Sequence, residues 1–274
     1  MPIDISLYSS EVTSASKSVL IEVARVLGSY KDYMVLSGGW APYFVLERFG
    51  KGRVHCGSAD IDLVLSPKLK SVSVYQTIVK IIEANGFSQV EEGGEKIPYR
   101  FAKGKVELDF LGEPETMKGL AGLMKVQRDL SAAIIRGTSI VFEHFFNHTL
   151  EGELPTGVIA QASMNVSNVV GCITTKGLAF EGRRNEKDYY DVYMLLKHFK
   201  GGPVRAAKEV EPFADDERVA EALEIIARQF KTVRHEGPFN VAYFIEPRRT
   251  RERERVMADA FITVRDFLDH LRGV

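Results

Sequence analysis

Cysteine and tryptophan are scarce in this sequence: its 274 residues include two cysteines and one tryptophan. Cys56 and Cys172 stand far apart, and neither has Cys or His neighbours at a metal-ligand spacing. This pattern excludes a cysteine-based zinc motif and is typical of proteins in a reducing compartment. We therefore expect a cytoplasmic protein.

An excess of charge of either sign is also lacking, since 36 Lys and Arg face 37 Asp and Glu for a formal net charge of -1. A surface for nucleic acid would therefore have to be a local patch. No apolar run approaches transmembrane length, and the first four residues show neither the basic nor the apolar region of a signal peptide. We expect no membrane partner.

The hydrophobic pattern changes near residue 165. Before it, short alternating segments and glycine-rich turns predict strands at 33–36, 60–65, 87–90, 99–102, 105–111, 138–142, 149–154 and 158–162, with helices at 11–28, 40–49 and 74–85. Segment 115–130 is expected to be a connecting helix or loop-helix. Beyond residue 165, helical periodicity predicts helices at 167–184, 188–199, 216–230 and 251–271. We therefore expect an α+β fold, with a mixed sheet flanked by helices in domain 1–165 and a helical domain at 166–274.

The densest functional signal lies between Ser37 and Leu65. Side chains alternate across a strand, so Asp60 and Asp62 are expected to share one face. Two carboxylates this close repel each other unless a cation lies between them, and oxygen ligands suit Mg²⁺. Gly38-Gly39, just before a helix, offers backbone N–H groups for phosphate. Either feature alone is usually an ordinary strand face or turn, but their order and spacing together favour nucleotide chemistry.

This combination resembles the DNA polymerase β-like nucleotidyltransferase superfamily, whose signature is Gly-Gly or Gly-Ser, a short helix, and Asp-x-Asp on the next strand. The matching residues are Ser37, Gly38, Gly39, Asp60 and Asp62. The spacing from Gly39 to Asp60 is similar to that of AbiEii-like toxins and of antibiotic nucleotidyltransferases. The resemblance implies Mg²⁺, or alternatively Mn²⁺, on Asp60 and Asp62. It also implies that Ser37, Gly38, Gly39 and Ser58 position the phosphates of an NTP.

The superfamily has a third carboxylate on a later strand. Segment 105–111 alternates strictly, with Glu107 and Asp109 on the face opposite its apolar side chains. By its match to the family strand, Asp109 is the expected third metal ligand, and Glu107 is the reserve. The alternative is that this is only a polar strand face.

A second cluster, in 174–196, is similar to the later motifs of the AbiEii/MenT toxins, the type IV toxin–antitoxin nucleotidyltransferases. Lys176 matches the lysine of that family, which implies contact with nucleotide phosphates and a catalytic role. Asp188 and Asp191 match its acids, and Asp188 is expected to bind nucleotide. In that family the helical half closes over the active site. Without the resemblance, Asp188 could be a helix-start residue and Lys176 a lysine whose stem lies along apolar surface.

The resemblance implies a metal-dependent enzyme that transfers a nucleotidyl group from an NTP to a macromolecular acceptor, foremost a tRNA 3′ end, and that has a cognate antitoxin. Arg183, Arg184 and Lys187 are candidates to meet RNA backbone. Arg53 or His55 could contact a phosphate or be plain loop residues. Two alternatives stay open: modification of a small hydroxylated molecule such as an antibiotic, and a non-catalytic nucleotide-binding module.

Overall fold

The computed structural model describes residues 3–51, 55–72, 76–114, 122–182 and 185–273. Contacts divide the chain into two units. The sheet unit comprises Ser10–Trp40 and Ser58–Ser167, and the helical unit comprises Met1–Ser9, Ala41–Gly57 and Asn168–Val274. The predicted α+β class, with a mixed sheet and a C-terminal helical region, is confirmed.

The sheet unit is built on one mixed sheet. Its strands are β1 (Met34–Leu36), β2 (Ile61–Leu65), β3 (Ser88–Glu92), β4 (Glu95–Lys103), β5 (Val106–Gly112), β6 (Leu123–Gln127), β7 (Leu130–Ile134), β8 (Phe145–Glu153) and β9 (Ile159–Ser167). They follow the order β3-β4-β5-β2-β1-β9-β8, and β7 pairs with both β5 and β6. The β1–β9, β2–β5 and β5–β7 pairs are parallel and the other pairs are antiparallel.

The central strands are apolar because both faces of the sheet are covered there. Every residue of β1 is buried, and in β2 Asp62 alone is not fully buried. Helix α1 (Ser10–Val26) packs on β8 and β9 through a face that includes Leu20 and Val23, both fully buried. Asp62 is therefore a polar residue set into an otherwise apolar strand.

The helical unit takes helix α2 (Trp40–Phe49) from Ala41 onward, together with later helices. The others in the described residues, besides α3 (Ile78–Ala84) of the sheet unit, are α4 (Val169–Gly182), α5 (Glu186–His198), α6 (Pro203–Val210), α7 (Glu217–Gln229), α8 (Glu236–Ile245) and α9 (Arg251–Leu271). Side-chain caps start four of them: Asn168 for α4, Asn185 for α5, Asp216 for α7 and Thr250 for α9. No helix within the described ranges has the length and apolarity that a bilayer crossing demands.

The division of the chain differs from the expected boundary after residue 165 in one respect. The units separate at Ser167, close to that position, but 1–9 and 41–57 group with the helical unit. Aromatic contacts within that unit give the physical reason. Phe49 packs on Phe199 with ring centroids 5.6 Å apart, and Tyr8 packs on Phe244 at the same distance.

Two predicted elements are wrong. The expected helix in 115–130 is the hairpin strand β6 and the start of β7, where buried Met124 and Val126 alternate with exposed neighbours; residues 115–121 lie outside the described part. The expected strand at 138–142 is a short 3₁₀-helix. Glu113 favours this turn, because its carboxylate accepts hydrogen bonds from the backbone N–H groups of Gly137 and Ser139, at 2.8 and 3.0 Å.

Close packing at the start of α8 generates a stability prediction. A Cβ on Gly237 would lie 2.5 Å from two ring atoms of Phe230 and 2.8 Å from the carbonyl oxygen of Gln229. We expect Gly237→Ala to lower the free energy of unfolding by about 1–3 kcal/mol, measured by urea titration. Gly182→Ala at the end of α4, where a Cβ meets no atom within 4 Å, is the control and should be neutral or stabilising. Equal effects of the two substitutions would contradict the packing described.

Candidate functional site

Three polar residues lie in one row across adjacent strands of the sheet unit, and Ser37 adjoins the row through its backbone. In the parallel β2–β5 pair, Asp62 is the register partner of Asp109. In the antiparallel β4–β5 pair, Asp109 is also the partner of Arg100. At the end of β1, the backbone N–H of Ser37 donates to the carbonyl oxygen of Asp62 at 2.9 Å. Register partners share one face of a sheet and their strands lie about 4.8 Å apart, so Asp62, Asp109 and Arg100 project side by side.

The turn after β1 is shaped to the Asp62 carboxylate. Gly38 has a φ of 56°, and a Cβ built there would lie 1.7 Å from Oδ2 of Asp62. No side chain fits that space, and a positive φ itself favours glycine. Within the described residues, the N–H groups of Gly38 and Gly39 have no hydrogen-bond acceptor. The turn thus sets two donors beside a carboxylate, at the start of α2.

Asp60 occupies a different setting from Asp62. The strand predicted from residue 60 begins at Ile61, so Asp60 lies in a bend one residue outside β2, where strand alternation does not set its direction. Its side chain is exposed, and the hydroxyl of buried Ser58 donates to its Oδ1 at 2.7 Å. The structure therefore places Ser58, predicted to position phosphate, as a partner of Asp60.

Asp109 has a cationic partner that the sequence reasoning missed. Arg100 donates from Nε to Oδ1 at 2.7 Å and from Nη2 to Oδ2 at 2.6 Å, which is a bidentate pair. Nη1 of Arg100 also lies 3.2 Å from Oε2 of Glu107, the reserve candidate. Asp109 is 8% exposed, whereas the Arg100 side chain is 31% exposed. A buried carboxylate is thus neutralised by a guanidinium that reaches it from the more open side.

The donor chemistry of this row fits a hard divalent cation. Asp62 and Asp109 supply carboxylate oxygens on neighbouring strands. The Arg100 guanidinium, itself a cation, already contacts the Asp109 carboxylate. Over the ranges that the structure covers, no three His, Cys, Asp or Glu side chains converge into a metal-binding group. The residues that would hold a cation are accordingly the Asp62–Asp109 pair, with Asp60 as the nearest further carboxylate along the chain.

The second predicted cluster forms a buried ion network inside the helical unit. Nζ of Lys176 on α4 lies 2.7 Å from Oδ1 of Asp188 and 2.8 Å from Oδ2 of Asp191, both on α5. Nζ of Lys187 and Nε2 of His55 lie 2.8 and 2.9 Å from Oδ1 of Asp191. All five side chains are at most 8% exposed. With His55 neutral, two lysines balance two aspartates.

The protonation states of this network follow from burial and from its own charges. Burial lowers the pKa of His55 to about 4, against the opposing effect of Asp191, so the ring is neutral near pH 7. Burial alone would lower the pKa of Lys176 and raise that of Asp191. The opposite charges outweigh burial, so the pKa of Lys176 is raised and that of Asp191 is lowered. The backbone N–H of Gly57 donates to Nδ1 of His55 at 3.1 Å, which leaves the proton on Nε2, facing Asp191.

The structure therefore gives Lys176, Asp188 and Lys187 partners within the network. Lys187, a candidate for RNA contact, is 4% exposed. Its companions Arg183 and Arg184, and Arg53 of the earlier loop, lie outside the described residues. His55 is one of the hydrogen-bond partners of Asp191, and this contact holds the 55–57 loop on α5. Lys187 and Asp191 are four residues apart on one helix, a spacing that brings side chains together and so indicates this pair from the sequence.

The buried network predicts that neutralising one buried acid lowers the free energy of unfolding far more than neutralising one exposed acid. Asp191→Asn removes the charge that three side chains share and leaves both lysines under-compensated. We expect the free energy of unfolding to fall by about 3–5 kcal/mol in chemical denaturation. The control is Glu181→Gln, which breaks the exposed pair with Arg228 and should cost less than about 1 kcal/mol. Similar small losses in both variants would contradict a buried network.

Neutral His55 predicts a pH dependence of stability. Between the ordinary pKa of 6.5 and the folded value of about 4, the unfolded chain binds a proton that the folded protein does not. The free energy of unfolding should therefore decrease as pH falls through this window, with a His55 contribution of up to about 1.4 kcal/mol per pH unit. His55→Gln should lack that contribution, while the other histidines act equally in both proteins. Urea titrations from pH 7 to 4.5 measure it, and parallel curves would contradict a neutral, buried His55.

Comparison with known proteins adds no family assignment. No protein-family model matches the chain, and no curated protein matches it significantly. The site is therefore described by its geometry: a row of Asp62, Asp109 and Arg100 beside a glycine turn in the sheet unit, and a buried ion network in the helical unit.

Proposed function

We propose that this chain is a metal-dependent nucleotidyltransferase, which transfers a nucleotidyl group from an NTP to a hydroxyl of a macromolecular acceptor. The observation that carries the proposal is the placement of Asp62 beside Asp109 on parallel strands, with the Gly38 turn against Asp62. Carboxylates of neighbouring strands next to free backbone donors suit a cation and a phosphate chain together. The resemblance to nucleotidyltransferase signatures supports the same reading.

In this proposal Asp62 and Asp109 hold the cation, Mg²⁺ or alternatively Mn²⁺, and Asp60 contributes a further carboxylate. A bound divalent cation supplies positive charge for the phosphate oxygens and favours ionisation of the attacking hydroxyl. Asp109 accepts the proton of the acceptor hydroxyl while the hydroxyl oxygen forms a bond to the α-phosphorus. The bond from the α-phosphorus to the bridging oxygen breaks, and pyrophosphate leaves.

The phosphate chain is assigned to the glycine turn. The N–H groups of Gly38 and Gly39 donate to phosphate oxygens, and Ser37 lies at the end of the adjoining strand. Ser58 acts by orienting Asp60 through its hydrogen bond. Nucleotide contact by Lys176 and Asp188 is supported by the resemblance alone. In the structure these two side chains are paired with each other inside the helical unit.

The proposed acceptor is the 3′ end of a tRNA, and the proposed partner is a cognate antitoxin, in a cytoplasmic setting. This choice comes from the similarity of the Lys176…Asp188-x-x-Asp191 pattern to the AbiEii/MenT toxins. Because the net charge is near zero, the RNA would have to be bound by a local basic patch. The steepness of the salt dependence of transfer would then report how many phosphates that patch contacts.

The test is a transfer assay with each α-³²P-labelled NTP, Mg²⁺, and either total tRNA or cell lysate. We expect label in RNA, and a loss of at least about 100-fold in rate for Asp62→Asn. Gly38→Ala should also reduce transfer, because its Cβ would displace the Asp62 carboxylate. The matched control is Glu92→Gln, an exposed acid on β3 of the same sheet, which should keep wild-type activity.

Each result of this assay bears on the proposal. Label in protein would replace tRNA by a protein acceptor. Label in neither fraction, or an Asp62→Asn variant as active as Glu92→Gln, would overturn the proposed enzyme. Thermal melts of the variants distinguish lost chemistry from a lost fold.

A further inference from the structure

Arg100 is the feature of the site that the proposed function does not yet use. It lies on β4, directly opposite Asp109, and its guanidinium occupies both oxygens of that carboxylate. Charge-assisted bidentate contacts of this length are among the stronger hydrogen bonds in proteins. Any cation that binds Asp109 therefore meets a carboxylate that already has a cationic partner.

The charges on this face make two arrangements possible. Glu107 and Asp109 both contact the Arg100 guanidinium, and Asp62 is the register partner of Asp109 on the next strand. A divalent cation at Asp109 would gain carboxylate oxygens from these acids. Arg100 and that cation nevertheless repel each other, and both need the oxygens of Asp109. The Arg100 side chain is partly exposed, and Glu107 offers it another carboxylate at 3.2 Å. It can thus leave Asp109 without losing every anionic partner.

We propose that Arg100 is a built-in competitor for the cation at Asp109, so that divalent cation binding is coupled to displacement of the Arg100 side chain. Without the cation, the guanidinium neutralises buried Asp109 and limits its repulsion with Asp62. When the cation binds, Arg100 moves to Glu107 and towards solvent. The inference rests on the proposed cation site and makes Arg100 a regulator of its occupancy.

The experiment measures Mn²⁺ binding to the full chain by calorimetry and by the Mn²⁺ EPR signal, without nucleotide. Arg100→Met should bind Mn²⁺ at least about tenfold more tightly than the wild type, because no bidentate contact has to be given up. Arg100→Gln, which keeps a polar side chain, guards against a folding defect in the Met variant and should shift in the same direction. Lys103→Met is the matched control: it removes a positive charge from the same strand, but one paired with Glu22, and should change affinity less than about twofold.

The outcomes separate this inference from the proposed function. If Mn²⁺ binds and Asp109→Asn weakens it, but Arg100→Met and Arg100→Gln bind it equally or more weakly, then Arg100 positions Asp109 and the competition is wrong. If Asp109→Asn and wild-type protein bind Mn²⁺ alike, or neither binds it, the cation site fails and the proposed function fails with it.

Discussion

Two like charges side by side in a β-sheet are the constraint on which the rest of the site depends. The parallel register of β2 and β5 sets Asp62 next to Asp109, an arrangement that destabilises a sheet unless a cation compensates it. Arg100 compensates from the far side of Asp109, and the Gly38 turn closes against Asp62. In the proposed function these two acids are the cation ligands, which gives their placement a chemical role.

The helical unit handles buried charge in the opposite way. Its network pairs Lys176 and Lys187 with Asp188 and Asp191, and neutral His55 contributes a hydrogen bond to Oδ1 of Asp191. These contacts fix helix α5 against α4 and the 55–57 loop. In the sheet unit, Asp109 shares the Arg100 guanidinium with Glu107, and the proposed cation is assigned to Asp109 and its register partner Asp62.

Much of the sheet could be predicted from local pattern, and its pairings could not. Strict alternation at 105–111 predicted β5. The apolar run before Gly38-Gly39 and the strand-like segment that carries Asp60 and Asp62 predicted β1 and β2, because local hydrophobic pattern reports burial. Register is a property of the whole sheet. A turn at Lys103-Gly104 would pair Asp109 with Pro98, whereas the observed turn at Gly104-Lys105 pairs it with Arg100. One residue of turn placement therefore hid the main partner of the site. Burial of Lys176 and Asp191 was equally hidden, since such residues are mostly exposed unless paired.

The most direct measurement is X-ray diffraction from crystals of the full chain soaked in Mn²⁺, collected where manganese scatters anomalously. The account predicts an anomalous peak in contact with carboxylate oxygens of both Asp62 and Asp109, with the Arg100 guanidinium withdrawn from Asp109. A crystal that takes up Mn²⁺ elsewhere, with Arg100 still bidentate on Asp109 and no peak beside Asp62, would contradict it.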